Sequence, residues 1–117
     1  MTLEVATGDR DDLVILTLRG ELDIYTVPVF RRETVGLPEG RSVIVDMDGV
    51  TLLDSSGLGA IVALHTKTSD AGAVVAIAST SRPVLRVFEV TGLRGTFPIG
   101  DDVDAAIQAI ENFSPEE

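Results

Sequence analysis

The chain has 117 residues, of which 44% are hydrophobic and 24% charged, and 19 Asp plus Glu against 9 Lys plus Arg leave a net charge of -10 at pH 7. That length suits one domain able to bury roughly two-thirds of its unfolded surface, and the charge opposes direct binding to nucleic acid, whose phosphates call for cations. The absence of cysteine excludes disulfides, thiolate metal sites and thiol catalysis, and no apolar run approaches the roughly 18 residues of a membrane span.

Met1–Val5 lacks the basic start, apolar stretch and cleavage site of a secretory signal, so a cytoplasmic protein is expected. Leu3–Val5 and Leu13–Arg19 flank Thr7-Gly8-Asp9-Arg10-Asp11-Asp12, whose turn-forming composition predicts a β-hairpin. Beyond Gly20-Glu21-Leu22-Asp23, Thr26 as N-cap and Pro28 in the first turn predict a short helix with Val27, Phe30 and Thr34 facing inward. Gly36-Leu37-Pro38-Glu39-Gly40 stops it. Ser42–Met47 is a β-branched run suited to a central strand covered on both faces, and Asp48–Leu53 reads as the loop that follows.

From Ser56 to about Thr68 the residues Leu58, Ile61, Val62 and His65 recur at helical spacing, widened by Ala60, Ala63 and Leu64, so a helix packed on the sheet is predicted. Val74–Ala78 reads as a strand, Ser81-Arg82-Pro83 as the start of a helix through Val90, and Thr96–Ile99 as a last short strand. Asp101 or Asp102 caps a final helix whose face holds Val103, Ala106, Ile107 and Ile110. The order β β α β α β α β α predicts an α/β fold: a mixed sheet of four to five strands with about four packed helices in one domain over residues 1–113. Ser114-Pro115-Glu116-Glu117 reads as a flexible tail.

The junction before the Ser56–Thr68 helix carries the chemistry. Asp54, Ser55 and Ser56 are all N-cap types, and a helix start offers free N–H groups with about half a positive charge. A phosphoserine there, bearing about -1.5 to -2 charge, would alter the local field while barely disturbing the backbone. Gly57 and Gly59 each cost on the order of 1 kcal/mol against alanine in a helix, which predicts that another backbone approaches closely.

Four runs resemble successive landmarks of the STAS-domain anti-sigma factor antagonist family. They are Gly20-Glu21-Leu22-Asp23 with Thr26, Val43-Ile44-Val45-Asp46, Leu53-Asp54-Ser55-Ser56-Gly57-Leu58-Gly59, and Val87-Phe88-Glu89-Val90-Thr91-Gly92-Leu93 followed by Phe97. The resemblance implies a STAS-like fold and a binding module without catalysis or cofactor. In such proteins the unphosphorylated form captures an anti-sigma factor, often itself the serine kinase, and frees a sigma factor; a serine phosphatase resets the switch. It implies Ser55 as phosphoacceptor, Ser56 as the fallback, and a partner-binding surface of Asp23, Asp54, Ser55, Ser56, Gly57 and Leu58. Other branches of the family are regulatory modules of transporters, signalling assemblies or lipid-transfer machines.

A different chemistry is written into Val43-Ile44-Val45-Asp46-Met47-Asp48-Gly49-Val50, which resembles the first motif of haloacid-dehalogenase-like phosphatases. There Asp46 would attack phosphorus, Asp48 would act as general acid/base, Mg²⁺ would offset charge, Gly100-Asp101-Asp102-Val103-Asp104 would supply further acids and Lys67 a cation. Against it, that fold normally begins with its aspartate strand, whereas a hairpin and a helix precede this one. His65, the only histidine, reads as a packed side chain rather than a base or ligand, and a Ser55–His65 dyad lacks any nucleophile elbow. Arg31 and Arg32 read as a solvated helix face. No metal site is expected.

Overall fold

Val14, Leu16 and Leu18 are wholly buried while Leu13, Ile15 and Thr17, which alternate with them, are half-buried, so this strand divides the sheet into two unequal faces. The computed structural model describes residues 2–113, and the expected tail at 114–117 lies outside them. The elements are β1 (Leu3–Arg10), β2 (Leu13–Leu22), α1 (Val27–Val35), β3 (Val43–Leu53), α2 (Ser55–Asp70), β4 (Val75–Ala78), α3 (Arg82–Val90), β5 (Ile99–Gly100) and α4 (Val103–Glu111). They form one α/β domain whose sheet runs β1-β2-β3-β4-β5, with β1 antiparallel to β2 and every other neighbouring pair parallel.

Leu16, Leu18, Val45 and Ile77 on the thicker side meet Phe30 of α1, Leu58 and Ile61 of α2, and Val84 and Phe88 of α3. On the other side Ile44, Ala76 and Ala78 lie beneath Ala106 of α4, with Ile15 and Ile107 at the margin. Two-sided cover explains why Val43, Ile44 and Val45 are all buried in succession. Gly100 is obligatory in this layer, because a Cβ there would stand 2.3 Å from the Ala106 backbone nitrogen.

Four local expectations are corrected. The turn expected over Thr7–Asp12 contracts to Asp11 and Asp12, since β1 pairs with β2 as far as Arg10 opposite Leu13. Asp11 takes φ +54, a left-handed conformation that aspartate tolerates, and so allows the tight reversal. Asp48–Leu53 is not a loop but the second half of β3, which continues alongside Arg19–Leu22 past register shifts at Thr17/Arg19 and Gly20/Glu21. Those irregularities interrupt the alternation by which a strand is recognised. The last strand is Ile99–Gly100 rather than Thr96–Ile99, because Phe97 turns into the core against Phe88, with ring centroids 5.4 Å apart.

Finally, Thr26 and Ser81 occupy cap positions without capping. Their hydroxyls instead donate to the Glu21 carbonyl at 2.7 Å and the Val50 carbonyl at 3.1 Å, tying the starts of α1 and α3 to the strands beside them.

Candidate functional site

The Asp54–Ser56 junction stands where β3 leaves the sheet. Of the three cap-type residues there, Asp54 is the cap: its backbone is extended and its Oδ1 accepts from the Gly57 N–H at 2.8 Å. Its Oδ2 accepts from the Ile24 N–H at 3.2 Å, so one carboxylate joins the first turn of α2 to the loop between β2 and α1. The Asp54 N–H donates to the Leu22 carbonyl at 3.3 Å, a third tie between the same segments.

Asp23 holds that loop from within. It is 3% exposed, and its Oδ1 accepts from the N–H groups of Tyr25 at 2.9 Å and Thr26 at 3.1 Å. The Asp23 N–H donates back to the Thr26 hydroxyl at 3.0 Å, and its carbonyl accepts from the Val27 N–H at 2.9 Å. A loop so wired presents Ile24 and Tyr25 outward, 61% and 75% exposed. Neither was singled out in the sequence; the available signal was a pair of large apolar residues inside a polar turn.

Ser55 is exposed at the first position of α2, and its hydroxyl has no hydrogen-bond partner among the described residues. Ser56 and Asp54 are half-buried, whereas Gly57 and Leu58 are buried. The expected partner-binding set therefore divides in depth. Ser55, with the edges of Asp54 and Ser56, forms surface; Asp23, Gly57 and Leu58 lie beneath it as support.

The glycines divide too. A Cβ at Gly57 would stand 2.4 Å from the Leu22 carbonyl oxygen and 2.9 Å from the Leu22 and Leu53 side chains, so the close approach is made by this chain's own β2 and not by another protein. At Gly59 a Cβ would meet nothing within 4 Å. The close approach expected there is absent.

Asp46 and Asp48 do not converge on a common point. The Asp46 carboxylate accepts from the Asp48 N–H at 3.1 Å, and the Asp48 carboxylate accepts from the Thr80 N–H and the Thr80 hydroxyl, each at 2.9 Å. Of the later acids Asp102 caps α4 by accepting from Ala105 N–H at 2.8 Å, and Asp104 pairs with Arg10. Lys67 lies in the last turn of α2, roughly 18 Å along the helix from Ser55. Among the described residues no three His, Cys, Asp or Glu side chains gather to hold a cation, so the donor set that phosphatase chemistry requires is dispersed. His65 packs on Phe97 at 4.9 Å between ring centroids, about 15 Å along α2 from Ser55, so the two form no dyad.

The Thr80 N–H and, less strongly, its hydroxyl hold the Asp48 carboxyl below its ordinary value of 3.8, against a small opposing effect of desolvation. Because the folded value lies below the unfolded one, the contact favours the fold above about that pH, and its contribution fades as pH falls through the lowered value. Thr80→Val should move the Asp48 titration, followed by carboxyl ¹³C shifts, back toward 3.8 by part of the difference. An unmoved titration would show that the hydroxyl does nothing there.

The STAS domain family model matches residues 4–106. The anti-sigma-B factor antagonist of Bacillus subtilis strain 168 is 27% identical over 109 residues, covering 92% of this chain and all of that protein. Among solved structures, an anti-sigma factor antagonist from Mycobacterium paratuberculosis superposes with a TM-score of 0.79 at 24% identity, covering 94% of this chain and 95% of the other. The anti-sigma factor antagonist SpoIIAA in its unphosphorylated form gives 0.73 at 20% identity, covering 97% and 99%. No helix among the described residues is long and apolar enough to cross a membrane. With a family model matching nearly its whole length and a sheet and helix order shared with solved antagonists, the chain belongs to the STAS domain family.

Proposed function

We propose that this protein is an anti-sigma factor antagonist whose binding is switched by phosphorylation of Ser55. The supporting observation is the position of that hydroxyl: exposed, unpartnered, at the first residue of a helix whose cap, Asp54, also holds the loop that exposes Ile24 and Tyr25. The name borne by the Bacillus subtilis relative supports the same reading.

The unphosphorylated surface binds an anti-sigma factor that is also the serine kinase, and a sigma factor is released from it. In the transfer, the Ser55 oxygen attacks the terminal phosphorus of ATP held by the kinase, the bond to ADP breaks, and the hydroxyl proton passes to a base of the kinase. A serine phosphatase reverses the change with water. This chain supplies the acceptor and its setting, with no cofactor of its own. The first-turn N–H groups that Asp54 leaves free and the helix dipole stabilise the phosphoryl group. The added charge stands next to Asp54, so a partner surface with acidic groups is repelled and close apolar contact with Ile24 and Tyr25 is obstructed.

A pull-down from lysate with wild type, Ser55→Ala and Ser55→Asp tests this. Wild type and Ser55→Ala should retain the anti-sigma kinase, and Ser55→Asp should bind it at least about tenfold more weakly, roughly 1.4 kcal/mol. Incubation with that kinase and ATP should add one phosphoryl mass to wild type and none to Ser55→Ala. Equal capture by all three would defeat the switch, phosphorylation that survives in Ser55→Ala would move the acceptor to Ser56, and capture of transporter or lipid-transfer components would favour the other branches of the family.

A further inference from the structure

In a chain of net charge -10, three of the nine cations stand along one face of α3 and the turn after it. Arg82 and Arg86 are one helical step apart, both exposed, and belong to no ion pair among the described residues. Arg94, in the turn after α3, pairs with Glu89 at 2.7 Å. Thr80, Leu85 and these four residues line an open groove of about 390 Å³. No acidic residue stands in the first turn of α3. The Asp48 carboxylate accepts from the Thr80 N–H and hydroxyl, and the Glu89 carboxylate in the groove pairs with Arg94.

We propose that this arginine row is a docking surface for an acidic segment of a protein partner. It is distinct from the Ser55 surface but at the same end of the sheet, since the Ser81 hydroxyl that anchors α3 binds Val50, on the β3 stretch leading to Ser55. Guanidinium groups bind carboxylates in a two-pronged fashion that lysine cannot reproduce. The step from Arg82 to Arg86 rises about 6 Å along the helix, and alternate side chains of an extended peptide stand roughly 6.6 Å apart. An extended segment with acidic residues at every second position therefore meets successive arginines. Charge also favours a short segment over a nucleic acid: outside this row the chain is more acidic still, and a long polyanion would run from the groove into a repelling field.

The test is fluorescence anisotropy with a short fluorescein-labelled peptide carrying glutamate at alternate positions, on the intact protein at low and at physiological salt. Arg82→Glu with Arg86→Glu should weaken binding at least about tenfold. Arg31→Glu with Arg32→Glu, an equal charge change on α1, should leave it within about twofold, and Ser55→Asp should leave it within the same margin whether or not the phosphorylation switch holds. The milder Arg82→Gln with Arg86→Gln, checked for an unchanged thermal melt, guards against loss through misfolding. No binding by wild type, equal loss in both arginine pairs, or displacement of the peptide by inorganic phosphate or oligothymidylate at lower concentration than by unlabelled peptide would each overturn the proposal.

Discussion

Asp23→Ala is expected to lower the stability of the fold by about 3 kcal/mol, because it strips a buried carboxylate from two backbone N–H groups at once. Each such bond to a carboxylate is worth about 1.5–3 kcal/mol, and the Tyr25 N–H is left without an acceptor. Asp23→Asn keeps an acceptor oxygen in the same place and should recover more than half of the loss. Denaturant unfolding of the three proteins gives the comparison. Hydrogen exchange at Tyr25 should quicken in the alanine variant before global unfolding does, since that amide loses its acceptor, whereas the Thr26 N–H keeps the Asp23 backbone carbonyl at 3.1 Å. A cost under about 1 kcal/mol for Asp23→Ala would mean that the turn keeps its shape without the carboxylate.

The same chemical change made twice, two residues apart in α2, should have opposite signs. Gly57→Ala places a methyl 2.4 Å from the Leu22 carbonyl oxygen, a backbone atom of a paired strand that cannot swing aside. Overpacking of this kind costs about 1–3 kcal/mol, here at the upper end because the atom met is backbone, and the gain in helix propensity returns about 1, so a net loss near 2 kcal/mol is expected. Gly59→Ala enters open space and should add up to about 1 kcal/mol. For a chain of this length the two melting temperatures should differ by roughly 12 °C. A stabilising Gly57→Ala would show that β2 and α2 separate more easily than their contact implies.

Why both positions looked alike in the sequence is instructive. A glycine in a helix signals a cost, and the cost invites a reason, but the reason for Gly57 is Leu22, a residue thirty-five positions earlier brought alongside by the extended pairing of β2 with β3. Nothing within the run Leu53–Gly59 distinguishes a glycine pressed by its own sheet from one facing outward. The periodic elements were legible because Leu58, Ile61 and Leu64, or Val43 to Val45, declare their burial within a few residues. Asp48–Leu53 was misread because its strand character comes from its neighbour Arg19–Leu22 across two register shifts. The choice of Asp54 over Ser55 as cap was likewise open in the sequence. It was decided by the Ile24 N–H, which takes the carboxylate's second oxygen.

That decision leaves the Ser55 hydroxyl out of the capping work, and it bears on which enzymes can act on it. A kinase that reads its target as a flexible, stretched-out peptide would first have to melt the opening turn of α2, breaking the Asp54 contacts to both Gly57 and Ile24. On the proposed reading, an enzyme that recognises the assembled corner meets the hydroxyl already in position. On that reading the corner would insulate the signal from unrelated kinases: a linear fragment spanning Leu53–Gly59 carries the same letters but not the same address.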